Sequence, residues 1–252
     1  VKDTMKAITG HFKLNVIDKD GNIIDTVEDS NMIMNPASIG MAGIFSGERS
    51  GLTRFSLGTM GNHISSILVP KTSANGFVKT RDRMFSETKS YGTGAVINAN
   101  MGDVIHYTVD GNYYEYVGAV TIPPLAIPST TVNATNLANA ALWKNLGTVM
   151  PYTYDINFVV SGTTVAAPGS LANSIVETNT GVGSTVHVLT TNNSVIFTID
   201  VVTAAANSQS ANMSIFTEAS LYSGAEIFSL KTFPAKIKDN TVALQIVWTI
   251  SF

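Results

Sequence analysis

The chain has no cysteine in its 252 residues. That removes a disulfide framework, a thiolate metal site and a cysteine nucleophile together, so stability has to come from packing or from neighbouring subunits. Charge is scarce as well: Asp, Glu, Lys and Arg make up 13% of the sequence, against about a quarter in ordinary soluble domains, which leaves surface polarity to Ser, Thr, Asn and Gly. The formal net charge is −3, and no run of Lys or Arg is interleaved with aromatics. A basic stripe able to neutralise phosphates is missing, and nucleic acid is not expected as a partner. No stretch approaches about 18 uninterrupted apolar residues, so no transmembrane helix and no membrane insertion are expected. The opening Val1–Lys6 is not followed by an apolar core and a small-residue cleavage site, so no signal peptide is expected either.

What the chain does have is alternation. In the run Val242–Phe252 the even positions, Leu244, Ile246, Trp248, Ile250 and Phe252 among them, are large and apolar, while the odd ones are Ala243, Gln245, Val247, Thr249 and Ser251. This predicts a half-buried β-strand with Trp248 as a buried anchor and Phe252 as a core residue, unusually long at roughly 37 Å. A strand of this length suggests assembly. Phe12–Ile17 and Ile23–Val27 flank Asp18-Lys19-Asp20-Gly21-Asn22, whose Asp-Gly pair predicts a hairpin. Asp103–Val109 and Tyr113–Val117 flank Asp110-Gly111-Asn112 and predict a second hairpin rich in tyrosine. Further strands are expected at Phe55–Leu57, Tyr154–Val160, Ser184–Thr190, Ser194–Val201, Ser214–Tyr222 and Glu226–Phe233. One short helix is framed by Asn35 as N-cap, Pro36 at the first helical position and Gly47 past its end, with Ile39, Ala42, Gly43 and Phe45 available for its packed face. A second, shorter helix is expected at Asn136–Leu142, after a loop with Pro123, Pro124 and Pro128.

Strands at this spacing, divided by Gly, Asn and Thr loops, indicate a mainly β chain: an antiparallel, jelly-roll-like β-sandwich with one short helix and a small inserted β module. Residues 1–98 and 150–252 are expected to form a discontinuous body, and residues 99–149 the insert. The insert's edges should lie close together, at a surface turn of the body.

Signs of catalysis are weak. His11, His63, His106 and His187 are scattered over separate elements with no ligand spacing, and Asp103, Glu115, Glu218 and Glu226 are not paired by spacing. No Gly-x-Ser-x-Gly elbow occurs. Asp18, Asp20 and Asn22 alternate as calcium ligands would, but the glycine falls at the fourth position instead of the sixth and no glutamate closes the loop. Gly58-Thr59-Met60-Gly61 has a phosphate-loop spacing, yet His63-Ile64-Ser65-Ser66 offers only a weak helix start, so a turn is expected. We therefore expect no catalytic residue, no metal and no cofactor. An outer-membrane barrel, which a terminal Phe after alternating apolar residues also suggests, is set aside for want of a signal peptide and of further long strands with aromatic girdles.

Three segments near the end, Phe216–Gly224, Ile227–Ala235 and Ile246–Phe252, resemble the close of a family of tailed-bacteriophage virion proteins, with its Thr-Glu-Ala, Lys-Thr-Phe-Pro-Ala and Trp-Thr-Ile-Ser-Phe elements. Asn31-Met32-Ile33-Met34-Asn35 and Leu57-Gly58-Thr59-Met60-Gly61 resemble elements of that family's N-terminal portion. The resemblance covers residues 10–85 and 150–252. It implies a structural, non-enzymatic component of tail, collar, fibre or particle surface, located in the virion after assembly in the host cytoplasm. Its partners would be copies of itself and other virion proteins.

Gly102-Asp103-Val104, Tyr107, Gly111-Asn112-Tyr113-Tyr114 and Trp143–Gly147 are similar to the small carbohydrate-binding modules of chitinases and phage tail proteins, though the usual upstream tryptophan is missing and the loop before Trp143 is longer. That similarity implies an alternative role in adhesion, with a host surface glycan stacking on Tyr107, Tyr114, Tyr116 and Trp143. The same four aromatics can instead be the core of a tiny domain with little else to bury, and that alternative weighs more.

Overall fold

The computed structural model describes residues 8–34, 37–48, 51–59, 84, 86–99, 103–118, 129–148, 152–160, 174–177, 184–191, 193–208 and 212–252. Asn35 and Pro36, the stretch from Met60 through Ser66, Gly102, the loop prolines and the opening Val1–Lys6 lie outside the described residues.

Along the chain the elements are β1 (Thr9–Ile17), β2 (Ile23–Ile33), α1 (Ala37–Phe45) and β3 (Arg54–Gly58). Next come β4 (Lys89–Tyr91), β5 (Val96–Asn98), β6 (Val104–Tyr107), β7 (Asn112–Tyr116), β8 (Ser129–Thr131), α2 (Ala134–Leu137) and β9 (Trp143–Gly147). The last group is β10 (Thr153–Asn157), β11 (Val159–Val160), β12 (Ser174–Glu177), β13 (Thr185–Thr190), β14 (Ser194–Val201), β15 (Ser214–Ser223), β16 (Glu226–Lys238) and β17 (Ala243–Ser251).

Eleven strands form one open sheet in the order β10-β3-β15-β16-β2-β1-β17-β14-β13-β12-β11, antiparallel throughout. The sheet is folded over on itself at β2, which pairs with β1 from Ile23 to Asn31 but with β16 only through Met32 and Ile33. Phe55 on β3 and Trp248 on β17 are five strand spacings apart in this order, about 24 Å in a flat sheet, yet their ring centroids are 6.4 Å apart. Phe12 closes the same cluster, 5.0 Å from Trp248 edge-on and 5.6 Å from Phe233 in a stacked arrangement. The architecture is a β-sandwich whose two layers interlock through aromatic rings.

The alternation of β17 is as expected: Leu244, Ile246, Trp248 and Ile250 are buried and the intervening residues half-buried. It is a central strand, with Phe12 of β1 and Phe197 of β14 on either side of Trp248. The strand ends at Ser251, so Phe252 is not the core residue expected; it is half exposed, held by a backbone bond from its N–H to the Asn193 carbonyl. The first hairpin closes on Gly21 at φ +86°, and the Asp18 carboxylate accepts from the Asp20 and Asn22 N–H groups at 2.9 and 2.8 Å. Those bonds, the one from Asn22 foremost, lower the Asp18 pKa; the residues with calcium-loop spacing are building a turn.

The packed face of α1 differs from the expectation. Of Ile39, Ala42, Gly43 and Phe45, only Gly43 is buried; the inward stripe is Ala37, Gly40 and Gly43. The reason is distance: a Cβ placed on Gly40 would stand 3.0 Å from Ser223 Cβ, so the sheet comes too close there for a large side chain, and Ile39 and Phe45 turn outward while Met41 packs half-buried against the core. The second helix is also displaced, to Ala134–Leu137, because Asn133 caps it by accepting from the Asn136 N–H at 2.8 Å.

The insert is a four-stranded sheet, β4-β6-β7-β9, beside the β5-β8 pair. It begins before residue 99: β4 and β5 belong to it, β4 pairing in parallel with β6 and β5 with β8. Three-residue strands are too short for alternation to betray them in the sequence.

Candidate functional site

The four aromatics with sugar-module spacing come together in the insert and face inward. Tyr107, Tyr114, Tyr116 and Trp143 are 2%, 7%, 4% and 2% exposed and share one core with Ile97, Ile105, Val132 and Leu137. The hairpin β6-β7 and its neighbour β9 set this up by placing Tyr114 opposite Ile105 and Tyr116 opposite Trp143. Tyr116 and Trp143 pack edge to face at 5.0 Å. The Tyr107 hydroxyl lies 2.5 Å from Thr93 Oγ1, and the Tyr114 hydroxyl donates to Asp110 at 2.6 Å. Burial first, and then Asp110, raises the Tyr114 pKa. No open ring face remains for a pyranose to stack on, so the stacking platform is corrected to a module core.

A second constellation forms where the insert joins the body. The chain leaves the sheet at Gly58 and returns at Thr153, directly opposite, and the Tyr152 N–H donates to Thr59 Oγ1 at 3.0 Å. On its other side Gly58 faces Glu218 of β15. Glu218 is fully buried and accepts at Oε1 from the Ser86 N–H at 2.8 Å and the Ser86 hydroxyl at 2.6 Å; Ser86 Oγ in turn accepts from the Thr59 N–H at 2.7 Å. Glu87 accepts at Oε2 from the Met84 N–H at 3.0 Å and the Tyr222 hydroxyl at 2.7 Å, and its Oε1 is 3.3 Å from Arg54. The Arg54 guanidinium lies over the Tyr222 ring, 3.7 Å from its centroid, and 3.8 Å from Asp155, which accepts from Ser56. Burial, reinforced by the Glu87 charge, drives the Tyr222 hydroxyl pKa far upward, so it stays a donor.

These groups lie on the outward face of β3, β10 and β15, which is nonetheless covered. Beside them Met34, Tyr222, Ile227 and Leu230 of the body meet Val104 and Tyr113 of the insert in an apolar seam. Chemically the arrangement is a joint: its carboxylates are engaged by neighbouring N–H, hydroxyl and guanidinium groups, and a Cβ on Gly58 would meet Ser86 Oγ at 2.5 Å and Glu218 Oε1 at 2.6 Å.

Of the other candidates, Asp103 and Glu115 lie in the insert, Glu218 in the joint and Glu226 at the β15-β16 turn. His11 is on β1 beside Glu28, His106 stacks on Tyr113 in the insert, and His187 is on β13; His63 is outside the described residues. Among the described residues no group of His, Asp and Glu has metal-binding geometry. Sequence reasoning missed Arg54, Ser86, Glu87 and Tyr222. The available signal was that β3 and β15 each carry polar or small residues on one face, Arg54, Ser56 and Gly58 against Glu218, Ser220 and Tyr222, a pattern that an ordinary solvated face also produces.

A third feature is apolar and exposed. Ile39 and Phe45 on the outer side of α1 are 56% and 85% exposed, and beside them runs a groove of about 590 Å³ walled by Met41, Ile44, Leu52, Val195 and Phe197, with Phe252 at its rim.

In comparisons with known proteins the chain matches no protein-family model, no curated protein and no solved structure.

Proposed function

We propose that the chain is a structural subunit of a bacteriophage particle, acting through assembly with copies of itself and with other particle proteins, and carrying the insert as a spacer or subunit contact. The observation that carries this is what the resemblance-bearing residues do. Leu57-Gly58-Thr59 and Thr217-Glu218-Ala219, far apart in sequence, lie on neighbouring strands with Gly58 against Glu218 and close the joint that holds the insert. Trp248, from the third such segment, is the centre of the sandwich core. Each of these residues supports shape, which is what a particle subunit supplies. Burial of Tyr107, Tyr114, Tyr116 and Trp143 weighs against the glycan-adhesion alternative.

Mass spectrometry of density-purified particles, from host cells in which the gene is expressed, tests this reading. The expected result is stoichiometric recovery of the chain in the particle band. Recovery only in the particle-free fraction would refute it.

A further inference from the structure

We propose that the outer face of α1 is the contact through which two copies of this chain pair about a two-fold axis; the inference rests on the assembly reading above and names the surface it uses. Plug and socket lie on one patch: Phe45 is 85% exposed and Phe252 50% exposed, and both flank the groove walled by Met41, Ile44 and Leu52. An isologous interface requires a patch that complements itself, and an exposed aromatic beside an apolar groove meets that requirement. The exposure is not a matter of a rotated helix. The inner side of α1 admits only Ala37, Gly40 and Gly43, so Ile39 and Phe45 have no inward alternative.

Charge points to the same occupant. Neither α1 nor the groove wall contains an ionisable side chain. Two copies of a chain whose net charge is −3 repel one another overall, and a face without ionisable side chains lets them meet with no like charges set against each other and no charge to desolvate. The area sets the strength. Two exposed phenylalanines, Ile39 and the groove walls offer on the order of 500 Å² per copy, hence about 1,000 Å² in total, short of the roughly 1,200 Å² at which stable interfaces begin and in the range of weak ones. Pairing is therefore weak for the free chain and firm where subunits are held close together in a particle.

Sedimentation equilibrium of the full chain tests this beside Phe45→Lys, a change that suits a helix C-terminus and touches no core, with a thermal melt confirming the fold. The expected result is concentration-dependent dimerisation weakened about thirtyfold in the variant, as for loss of an aromatic hot spot. Because the chain lacks cysteine, Ala42→Cys should also give oxidised dimers, whereas Val109→Cys, at a site 65% exposed in the insert's turn, should not. A chain that stays monomeric, with no preferential disulfide from Ala42→Cys, overturns the proposal. So do cross-links from α1 to residues 60–83 or 161–173 within a monomer, which would give the face to the chain's own segment. Self-association undiminished in Phe45→Lys removes this face but leaves the particle reading, while absence from particles removes that reading and leaves pairing in solution standing.

Discussion

Trp248 is the largest fully buried side chain among the described residues. It is fully buried between the layers, with Phe12 at 5.0 Å and Phe55 at 6.4 Å, both edge-on. Truncation to alanine exposes or empties about 200 Å², worth roughly 5 kcal/mol at 25 cal/mol per Å², and forfeits two aromatic pairs of about 1 kcal/mol each. One term opposes these: among the described residues the Trp248 indole N–H has no acceptor, a buried orphan costing about 1–3 kcal/mol that the substitution abolishes. The net expectation for Trp248→Ala is a loss of about 4–6 kcal/mol, a large part of the 5–15 kcal/mol typical of a domain. Trp248→Phe keeps most of the packing and sheds the orphan donor, so it should fall within about 1 kcal/mol of wild type. Urea unfolding followed by circular dichroism measures both. The chain's second tryptophan, Trp143, lies in the insert, so fluorescence of Trp248→Phe also reports the insert alone. Equal losses for the two variants would refute the orphan-donor reasoning, and an unchanged midpoint for Trp248→Ala would refute the core assignment.

Gly58→Ala forces a methyl against Ser86 Oγ, Glu218 Oε1 and Met84 Cε at 2.5, 2.6 and 2.8 Å; it should cost about 1–3 kcal/mol and loosen the joint, and urea unfolding indistinguishable from wild type would contradict that. Tyr114→Ala and Trp143→Ala should open the insert to protease in the full chain while the body's cleavage pattern stays unchanged; resistant variants that instead lose binding on a glycan array would restore the stacking platform. Burial pushes the Lys238 ammonium down to about 8 although the Thr203, Asn207 and Asp239 oxygens accept from it at 2.9, 2.9 and 2.8 Å. A lysine with a lowered folded value weakens the fold while charged, below about 8, and that cost fades as pH climbs towards the unfolded value of 10.5. The stability of wild type relative to Lys238→Met should therefore rise across this window, and a difference flat with pH would contradict the assignment.

The sandwich was legible wherever one face is buried and the other wet. β17 alternates cleanly and β14 does so from Phe197 onward, because a period of two is imposed by the pleat itself; β1 keeps Phe12, Leu14 and Val16 inward although Asn15 is buried too, and the Asp-Gly turns mark the β1-β2 and β6-β7 hairpins. Legibility failed where both faces are covered. β15 is buried almost throughout because the joint and the insert cover its outer face, and a bulge between Phe216 and Glu218 shifts the inward set to Ala219 and Leu221. The packing of α1 was hidden for a different reason: hydrophobicity favours Ile39 and Phe45 as the inner face, whereas close approach of the sheet selects Ala37, Gly40 and Gly43. The joint drew Ser86 and Glu87 from a segment with no strand pattern, and no periodicity announces a hydrogen-bond network that depends on tertiary contact. For Tyr107, Tyr114, Tyr116 and Trp143 the spacing placed them together correctly but carried no information on which way their rings face.

The central claim, that this chain is a particle subunit built for shape and pairing, is tested most directly by a cryo-electron microscopy reconstruction of particles from cells producing it. The account requires the β-sandwich to fit symmetric density at several equivalent positions, with the α1 faces of neighbouring copies in contact. Particles whose density leaves no place for the chain would contradict it.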